Sequence, residues 1–412
     1  MIEDRLEVWI DSALMGSEPK LVGTLHNSRG NIRFQYADQW LEHPLKFTID
    51  PSLSLSDLPF HPNPTQGNFG IFLDSSPDRW GQTLMKRRES LEAQENNRPP
   101  KTLYAWDFLI GVQDQTRQGA LRFKYPNTEI FLSDHPLSAP PIAQLRELES
   151  VAKELSGKNI QNLDRLKSWL SVLVAPGASL GGARPKANFT DQDGSLWIAK
   201  FPAKDDEIDI AAWEMLAYQL AHASGISLPA GRLFLLNAHH HTFAVKRFDR
   251  KDGQRIHYAS AMTLLNKMDS ENAYYIDIAY FINTKGATNK IKEDLTQLYH
   301  RVIFNWLISN HDDHFRNHGF LLTKNGWELS PAFDVNPNID KQDHVLKLLE
   351  DEAPPNLDGV LATSIYYDLS KDEAYQIYLK IQAVVNSWEQ YARKLKISRA
   401  DIEIMRPAFI SN

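Results

Sequence analysis

Three polar side chains in the last third of the chain have the types and spacing that phosphoryl transfer requires. Asp312 and Asn317 stand five positions apart in a polar stretch, and Asp334 comes 22 positions after Asp312. A kinase needs one carboxylate to accept the proton of a hydroxyl, and an amide and a second carboxylate to hold Mg²⁺ on ATP. Asp312 is therefore the candidate base, and Asn317 and Asp334 are candidate metal ligands.

The elements around these residues are expected to bring them together. Residues 299–308 have helical periodicity and lead into the polar stretch, while residues 319–323 and 326–329 resemble short strands that return the chain to Asp334. A helix, a loop, a hairpin and a turn in this order can converge three side chains on one metal–phosphate site. Any one of them alone would more often be a capping or solvated loop residue.

A second group of residues has the chemistry for binding nucleotide phosphates. The segment 177–186 is rich in glycine and ends with Arg184 and Lys186, so its backbone N–H groups could approach phosphate oxygens, although it does not match a Walker A loop. Lys200 is charged within an apolar strand, and Glu214 follows 14 residues later in a predicted helix, as in the lysine–glutamate pair of a kinase. The alternatives are a flexible turn and a solvent-facing lysine on an edge strand.

The segment 245–250 could border an adenine slot, for which Phe248 would supply an apolar ring; the alternative is a simple strand end. Two histidine-containing segments could instead bind metal. Residues 311–314 could ligate a divalent ion as in a His-Asp hydrolase, and residues 239–241 could bind zinc. The hydrolase alternative leaves Lys200 unexplained, and the run 239–241 is expected to be a solvated hairpin turn without nearby carboxylates.

The composition is that of an ordinary globular protein. The chain has 412 residues, 42% of them hydrophobic and 24% charged, and its lack of cysteine excludes disulfides, thiolate metal sites and cysteine nucleophiles. A net charge of −7 argues against direct DNA binding, although a basic patch at 86–88 leaves a local exception open. An acidic first segment and the lack of an apolar run of about 18 residues predict a cytoplasmic protein without a membrane span.

Strand and helix patterns predict an α+β protein in three parts. Residues 1–139 are expected to form a small β-rich N-terminal subdomain and the start of an N-lobe. Residues 140–250 contain two predicted strand pairs with a helix between them, and residues 251–412 are expected to form a mostly helical C-terminal lobe. The mostly helical pattern of that lobe includes residues 371–395.

In this order, the segments resemble the HipA family of bacterial serine/threonine kinases, the toxin components of type II toxin–antitoxin modules, over nearly the whole chain. Residues 179–186 resemble the family's phosphate-binding loop, residues 199–202 the segment of its ATP lysine, and residues 312–317 and 333–335 its catalytic loop and metal-binding motif. The segment 22–80 resembles the family's N-terminal subdomain, although its residues 72–78 differ from the commoner Asn-Leu-Leu-Pro form.

The resemblance implies a two-lobed protein-kinase-like fold with ATP and Mg²⁺ as cofactors. It implies Asp312 as the base, Asn317 and Asp334 as metal ligands, and Ser179 as a serine that is autophosphorylated and thereby inactivates the kinase. The ATP-binding residues that it implies are Gly181, Gly182, Lys186, Lys200, Glu214, Lys246 and Phe248. Lys246 stands where the family usually has glutamate, so only a backbone contact is carried over at that position.

The resemblance also implies partners. Characterised members phosphorylate an aminoacyl-tRNA synthetase and so arrest translation, and they are neutralised by a small helix-turn-helix antitoxin. Operator DNA would be contacted only through that antitoxin. Two other functions stay open from the sequence: a catalytically silent nucleotide-binding scaffold that acts as a corepressor with the antitoxin, and a metal-dependent phosphohydrolase.

Overall fold

The computed structural model describes residues 4–132, 139–156, 184–237, 239–341, 343–349 and 355–410. The chain divides into two compact units, the first formed by Met1–Lys204 with Lys246–Met268 and the second by Asp205–Val245 with Asp269–Asn412. These units do not follow the borders at 139 and 250 expected from the sequence, and the three-part division stays a prediction. None of the helices in the described ranges is long and apolar enough to cross a membrane.

Both units contain strands and helices. The strands are β1 (Asp4–Ile10), β2 (Lys20–Ser28), β3 (Asn31–Tyr36), β4 (Leu121–Lys124), β5 (Lys186–Thr190), β6 (Leu196–Lys200), β7 (Gly231–Phe234), β8 (Thr242–Lys246), β9 (Arg250–Lys251), β10 (Gln254–Arg255), β11 (Tyr258–Ser260), β12 (Ala273–Tyr274), β13 (Gly319–Thr323), β14 (Gly326–Leu329) and β15 (Leu346–Lys347). The α-helices are α1 (Asp38–Glu42), α2 (Gly70–Asp74), α3 (Arg79–Glu95), α4 (Ala105–Ile110), α5 (Leu145–Ser156), α6 (Ile210–Ala223), α7 (Ala261–Leu264), α8 (Tyr275–Lys285), α9 (Ile291–Leu307), α10 (Leu357–Ala362), α11 (Lys371–Val385), α12 (Trp388–Lys394) and α13 (Arg399–Met405).

The first unit opens with an antiparallel sheet in the order β3-β2-β1-β4, which confirms the predicted β-rich start of the chain. Alternate residues of β1 are apolar, and Leu6, Val8 and Ile10 are fully buried. Period-2 alternation buries one face of a strand and leaves the other accessible. Aromatic rings close the core beneath this face, with the rings of Phe34 and Phe72 5.6 Å apart.

Further along the first unit, β5 and β6 form the first of the two strand pairs predicted within 140–250, joined as an antiparallel hairpin. Gly194 has a φ of +79° at this turn, a conformation that glycine adopts without steric cost. Helix α3 begins at Asp78, whose side chain accepts a hydrogen bond from the backbone N–H of Gly81. An aspartate in this capping position satisfies one of the free N–H groups of the first turn.

The second unit is mostly helical, as the sequence predicted, and it is organised around α9. Nearly every residue of α9 from Leu298 onward is buried, and the helix packs against α8 and α11. Phe409 stacks on Trp388 with ring centroids 4.2 Å apart, and the next residue, Ile410, donates its backbone N–H to the carbonyl of Leu307. The end of α9 is therefore fastened by a segment about 100 residues later in the chain.

The helical region expected over 371–395 is confirmed, but it consists of two helices, because α11 ends at Val385 and α12 begins at Trp388. The Ser387 hydroxyl donates a hydrogen bond to the Val384 carbonyl at 2.7 Å. The Ser387 N–H also donates to this carbonyl, three residues earlier, and not to the carbonyl four residues earlier as in an α-helix. Serine competes in this way for backbone acceptors and interrupts helices.

Candidate active site

The polar stretch after α9 forms a loop that ends in a short 3₁₀ turn, Phe315–Asn317, before β13. Ser309 has a φ of +50° as the chain leaves the helix, and the N–H of Asn310 bonds to the carbonyl of Asn305. Strands β13 and β14 then pair antiparallel, and the N–H of Ser330 bonds to the carbonyl of Gly319. The predicted order of helix, loop and hairpin is confirmed.

Asp312 is the accessible carboxylate of this loop. Its side chain is 55% exposed and forms an ion pair with Lys341, which is also largely exposed. The backbone carbonyl of Asp312 accepts a hydrogen bond from the side-chain amide of Asn317 at 3.4 Å. Asp312 can thus meet a hydroxyl from another molecule, while the following residues turn back into the protein.

Asp313, which has no role assigned from its spacing, is buried and holds the loop. Its Oδ2 atom accepts hydrogen bonds from the Tyr275 hydroxyl at 2.5 Å, the Asn305 amide at 2.8 Å and the His318 ring at 2.8 Å. Burial alone would raise the pKa of Asp313, but attraction to His318 and these hydrogen bonds outweigh it and keep the pKa below its usual range. The adjacent aspartates therefore differ: one faces outward and the other is structural.

Asn317 and the segment of Asp334 lie side by side. Asn317, Phe333 and Val335 line one small cavity together with Arg301, and its volume of about 10 Å³ is room for a single water molecule. Asp334, between the two cavity-lining residues, has a φ of +56°. Aspartate tolerates this left-handed conformation better than most residues, and such outliers concentrate at functional sites.

The amide oxygen of Asn317 meets the requirement for a ligand of a hard cation. Asn317 is 5% exposed, and among the described residues its Oδ1 atom accepts no hydrogen bond. Buried acceptors are nearly always satisfied, and Mg²⁺ prefers carboxylate and carbonyl oxygens. The Asn317 oxygen therefore fits the predicted role of a Mg²⁺ ligand, while the same role for Asp334 stays a prediction. Within the described ranges, no group of three or more His, Cys, Asp or Glu residues is arranged to hold a metal.

Lys200 and Lys186 lie in the first unit on paired strands. Lys200 ends β6 and is only 8% exposed, so it is not a solvent-facing lysine of an edge strand. Lys186 begins β5, opposite Lys200 in the antiparallel register, and is fully buried. Its ammonium group forms an ion pair with Asp78 at 2.5 Å. The Lys186 ammonium group is thus paired with a carboxylate inside the protein.

The segment predicted to border adenine is fixed by charge. Asp249 is buried between Arg247, at 2.5 Å, and Arg250, at 2.8 Å, and accepts a hydrogen bond from the N–H of Gly119. Burial would raise the pKa of Asp249, but both guanidinium groups hold it well below its usual range. Phe248 is half-buried beside Tyr258, with ring centroids 5.9 Å apart. Lys246, by contrast, is partly exposed and only 3.5 Å from Asp193.

Glu214 is buried in α6, in the second unit, and its predicted pairing with Lys200 of the first unit stays a prediction. The N-cap of α6 is Asp209, which corrects an expectation about the histidine run. His241 was expected to have no carboxylate nearby, yet its Nδ1 atom lies 2.5 Å from Asp209 Oδ2. The run does form the predicted turn between β7 and β8, and its last histidine anchors that turn to the helix.

Three predicted residues, Ser179, Gly181 and Gly182, lie outside the described residues. Sequence reasoning in turn missed the structural roles of Asp78 and Asp313. The Asp78–Lys186 contact spans 108 positions and the Asp313–Tyr275 contact 38 positions, separations that sequence patterns do not reveal. The Ser-Ser-Pro-Asp motif before α3 was the one available signal, because Asp in this place is a typical helix cap.

Two models of known protein families match this chain. The family model described as the HipA N-terminal domain matches residues 7–98, and that of the HipA-like C-terminal domain matches residues 178–404. None of the curated proteins matches the sequence.

Solved structures show which fold this is. The Shewanella oneidensis MR-1 HipA, HipB and operator DNA complex contains a chain 15% identical to this one, with a TM-score of 0.67 over 98% of this chain and 94% of that chain. This likeness confirms the fold expected from the sequence. The Helicobacter pylori proinflammatory kinase CtkA is 16% identical to this chain. That alignment covers 56% of this chain and 90% of the CtkA chain, with a TM-score of only 0.38. Because the HipA-like C-terminal domain alone covers more than half of the sequence, the chain belongs to the HipA family.

Proposed function

We propose that the protein is an ATP- and Mg²⁺-dependent serine/threonine protein kinase and a HipA-like toxin. One arrangement carries the proposal: an exposed carboxylate, Asp312, five residues before a buried amide oxygen of Asn317 that accepts no hydrogen bond among the described residues. Asp334, with its left-handed backbone, lies in the segment beside Asn317. A structural aspartate or a solvated loop would not need an accessible base and an unsatisfied buried oxygen together.

In the proposed reaction, Asp312 accepts the proton of a serine or threonine hydroxyl. The hydroxyl oxygen forms a bond to the γ-phosphorus of ATP, the bond from that phosphorus to the bridging oxygen breaks, and ADP leaves with its electron pair. Asn317 and Asp334 would hold Mg²⁺, which when bound supplies positive charge to the phosphate oxygens. Lys200, paired with Glu214, would position the α- and β-phosphates.

The remaining nucleotide contacts would come from the glycine loop and the segment after β8. Gly181 and Gly182 would donate backbone N–H groups to phosphate, and the backbone near Lys246 with the ring of Phe248 would border adenine. Phosphate on Ser179 would compete for the same N–H donors as ATP, so autophosphorylation there would switch the kinase off.

The proposed partners follow from family membership. A small helix-turn-helix antitoxin would neutralise the kinase, and operator DNA would be bound through it, in line with the complex from which the Shewanella HipA fold is known. The proposed substrate is an aminoacyl-tRNA synthetase, whose phosphorylation would arrest translation. The chain's net charge of −7 supports an indirect rather than a direct contact with DNA.

Incubation with radiolabelled ATP and Mg²⁺ tests the proposal. We expect label on Ser179 of the wild type, loss of all label in Asp312→Asn, and loss of self-labelling alone in Ser179→Ala. Asp358→Asn, which changes an exposed aspartate in α10, is the matched control and should label normally. Absence of label on the protein and on lysate proteins would favour a silent scaffold. Release of phosphate to water, little changed in Lys200→Ala, would favour a phosphohydrolase.

A further inference from the structure

A buried ion pair in the first unit joins the start of α3 to the start of β5. Lys186 is fully buried, Asp78 is 6% exposed, and the Lys186 Nζ atom lies 2.5 Å from Asp78 Oδ2. Burying two charges costs so much solvation that such a pair is held only where geometry and additional hydrogen bonds compensate. This pair therefore constrains the position of both elements.

Hydrogen bonds around the pair make it a fixed junction. The Oδ1 atom of Asp78 caps α3 by accepting the N–H of Gly81 at 2.9 Å, which leaves Oδ2 for Lys186. The indole N–H of Trp80 donates to the Lys186 carbonyl at 3.1 Å. The first residue of β5 is thus held through both its side chain and its backbone by the first turn of α3.

The register of the hairpin links this junction to the predicted ATP lysine. Lys186 and Lys200 are direct partners on antiparallel strands, so their side chains leave the same face with Cβ atoms about 5 Å apart. Two ammonium groups in this arrangement repel each other. Asp78 neutralises Lys186 and thereby reduces the repulsion of Lys200 at the end of β6.

We propose that Asp78 is a positioning residue of the nucleotide site and that Lys186 acts through it rather than by contacting phosphate. The inference rests on the proposed kinase function. Residue 186 closes the predicted phosphate-binding loop and begins the strand that sets the register of Lys200. The HipA N-terminal domain, which includes Asp78, would therefore fix the geometry of a site formed by the C-terminal domain.

Three variants separate this role from direct phosphate binding. Asp78→Ser keeps a capping oxygen for Gly81 but is too short to reach Lys186. Lys186→Met removes the ammonium group, and the double variant leaves no unpaired buried charge, which favours folding. The control Asp114→Ser removes another buried carboxylate of the same unit, one paired with Arg122 at 2.6 Å.

Nucleotide affinity is measured by calorimetry with a non-hydrolysable ATP analogue and Mg²⁺. We expect Asp78→Ser and Lys186→Met each to weaken binding by about 10-fold to 100-fold, the range that small misplacements of binding groups produce, and the double variant to weaken it no further. Asp114→Ser should bind within about 3-fold of wild type. Normal or tighter binding by Asp78→Ser with weak binding by Lys186→Met would show direct phosphate contact and overturn the proposal.

Hydrogen exchange of the nucleotide-free protein tests the junction independently of the kinase function. Amides of β5 should exchange faster in Asp78→Ser and Lys186→Met, whereas those of β1 and β2 should not, and Asp114→Ser should leave β5 protected. Unchanged protection of β5 in both single variants would refute the junction. A wild-type protein that binds no nucleotide would refute the proposed function and the positioning role, while the exchange result still decides whether the ion pair holds β5.

Discussion

Replacement of Asp313 measures how strongly the buried carboxylate holds the candidate catalytic loop. Its Oδ2 atom accepts three hydrogen bonds, from Tyr275, Asn305 and His318. Hydrogen bonds to a charged acceptor contribute about 1.5–3 kcal/mol each, against about 1 kcal/mol for neutral pairs. Asp313→Asn can keep an oxygen at this position but loses the charge. We therefore expect it to lower the free energy of unfolding by about 1 kcal/mol per bond, or about 3 kcal/mol.

Two further variants, one milder and one more severe, are compared with Asp313→Asn by their loss of unfolding free energy. Tyr275→Phe removes one donor and leaves the carboxylate with two partners, so it should cost about 1.5 kcal/mol, the lower value for a hydrogen bond to a charged acceptor. Asp313→Ala leaves three buried donors without an acceptor and should cost about 5 kcal/mol, near the upper value for breaking a buried charged network.

Urea unfolding gives the free energies, and hydrogen exchange at residues 310–319 assigns the loss to the loop. The carboxylate charge is the decisive feature if Asp313→Asn is clearly less stable than Tyr275→Phe. Equal losses in these two variants, or unchanged exchange in the loop, would refute the reasoning, because the loop would then be held by its other contacts.

Other substitutions in the second unit test separate features. Burial raises the pKa of Asp294 to about 6 despite the hydrogen bond from the backbone N–H of Leu329. The free energy of unfolding should therefore fall by at most about 3 kcal/mol as the pH rises from about 4 to 6. Asp294→Asn should remove this dependence of the unfolding free energy on pH. Asp334→Asn should keep the fold, since asparagine tolerates a positive φ, and abolish Mg²⁺-dependent transfer; retained transfer would place the metal ligand elsewhere. Lys341→Ala should change the initial rate by less than about threefold, because exposed ion pairs contribute little, and a tenfold loss would mean that Lys341 takes part in transfer.

Local patterns in the sequence were sufficient for most elements. The alternation in β1, the Asp-Gly turn between β5 and β6, and the strands β13 and β14 all follow from residues that are neighbours in the chain. The break between α11 and α12 was missed because Ser387, unlike proline or glycine, is tolerated in helices and interrupts this one only through its bond to Val384.

The candidate site was only partly predictable for the same reason. Spacing picked out Asp312 over Asp313, and the structure shows the corresponding difference in exposure. The buried role of Asp313 depends on Tyr275, 38 positions earlier, and no periodicity in an irregular loop marks such a partner. Likewise Lys186 appeared to be a phosphate ligand from its place after glycines, while its ion pair with Asp78 is a tertiary contact.

The bond between Ile410 and Leu307 has a practical consequence for mutagenesis and expression. Helix α9 delivers the chain into the loop of Asp312, and its last turn is closed by residues 409 and 410, the former stacked on Trp388. A version of the protein shortened before Phe409 would keep every candidate catalytic residue. It would lose the hydrogen bond of Ile410 to the end of this helix and the stacking of Phe409 on Trp388. Low activity in such a shortened version would therefore say nothing about the chemistry of Asp312.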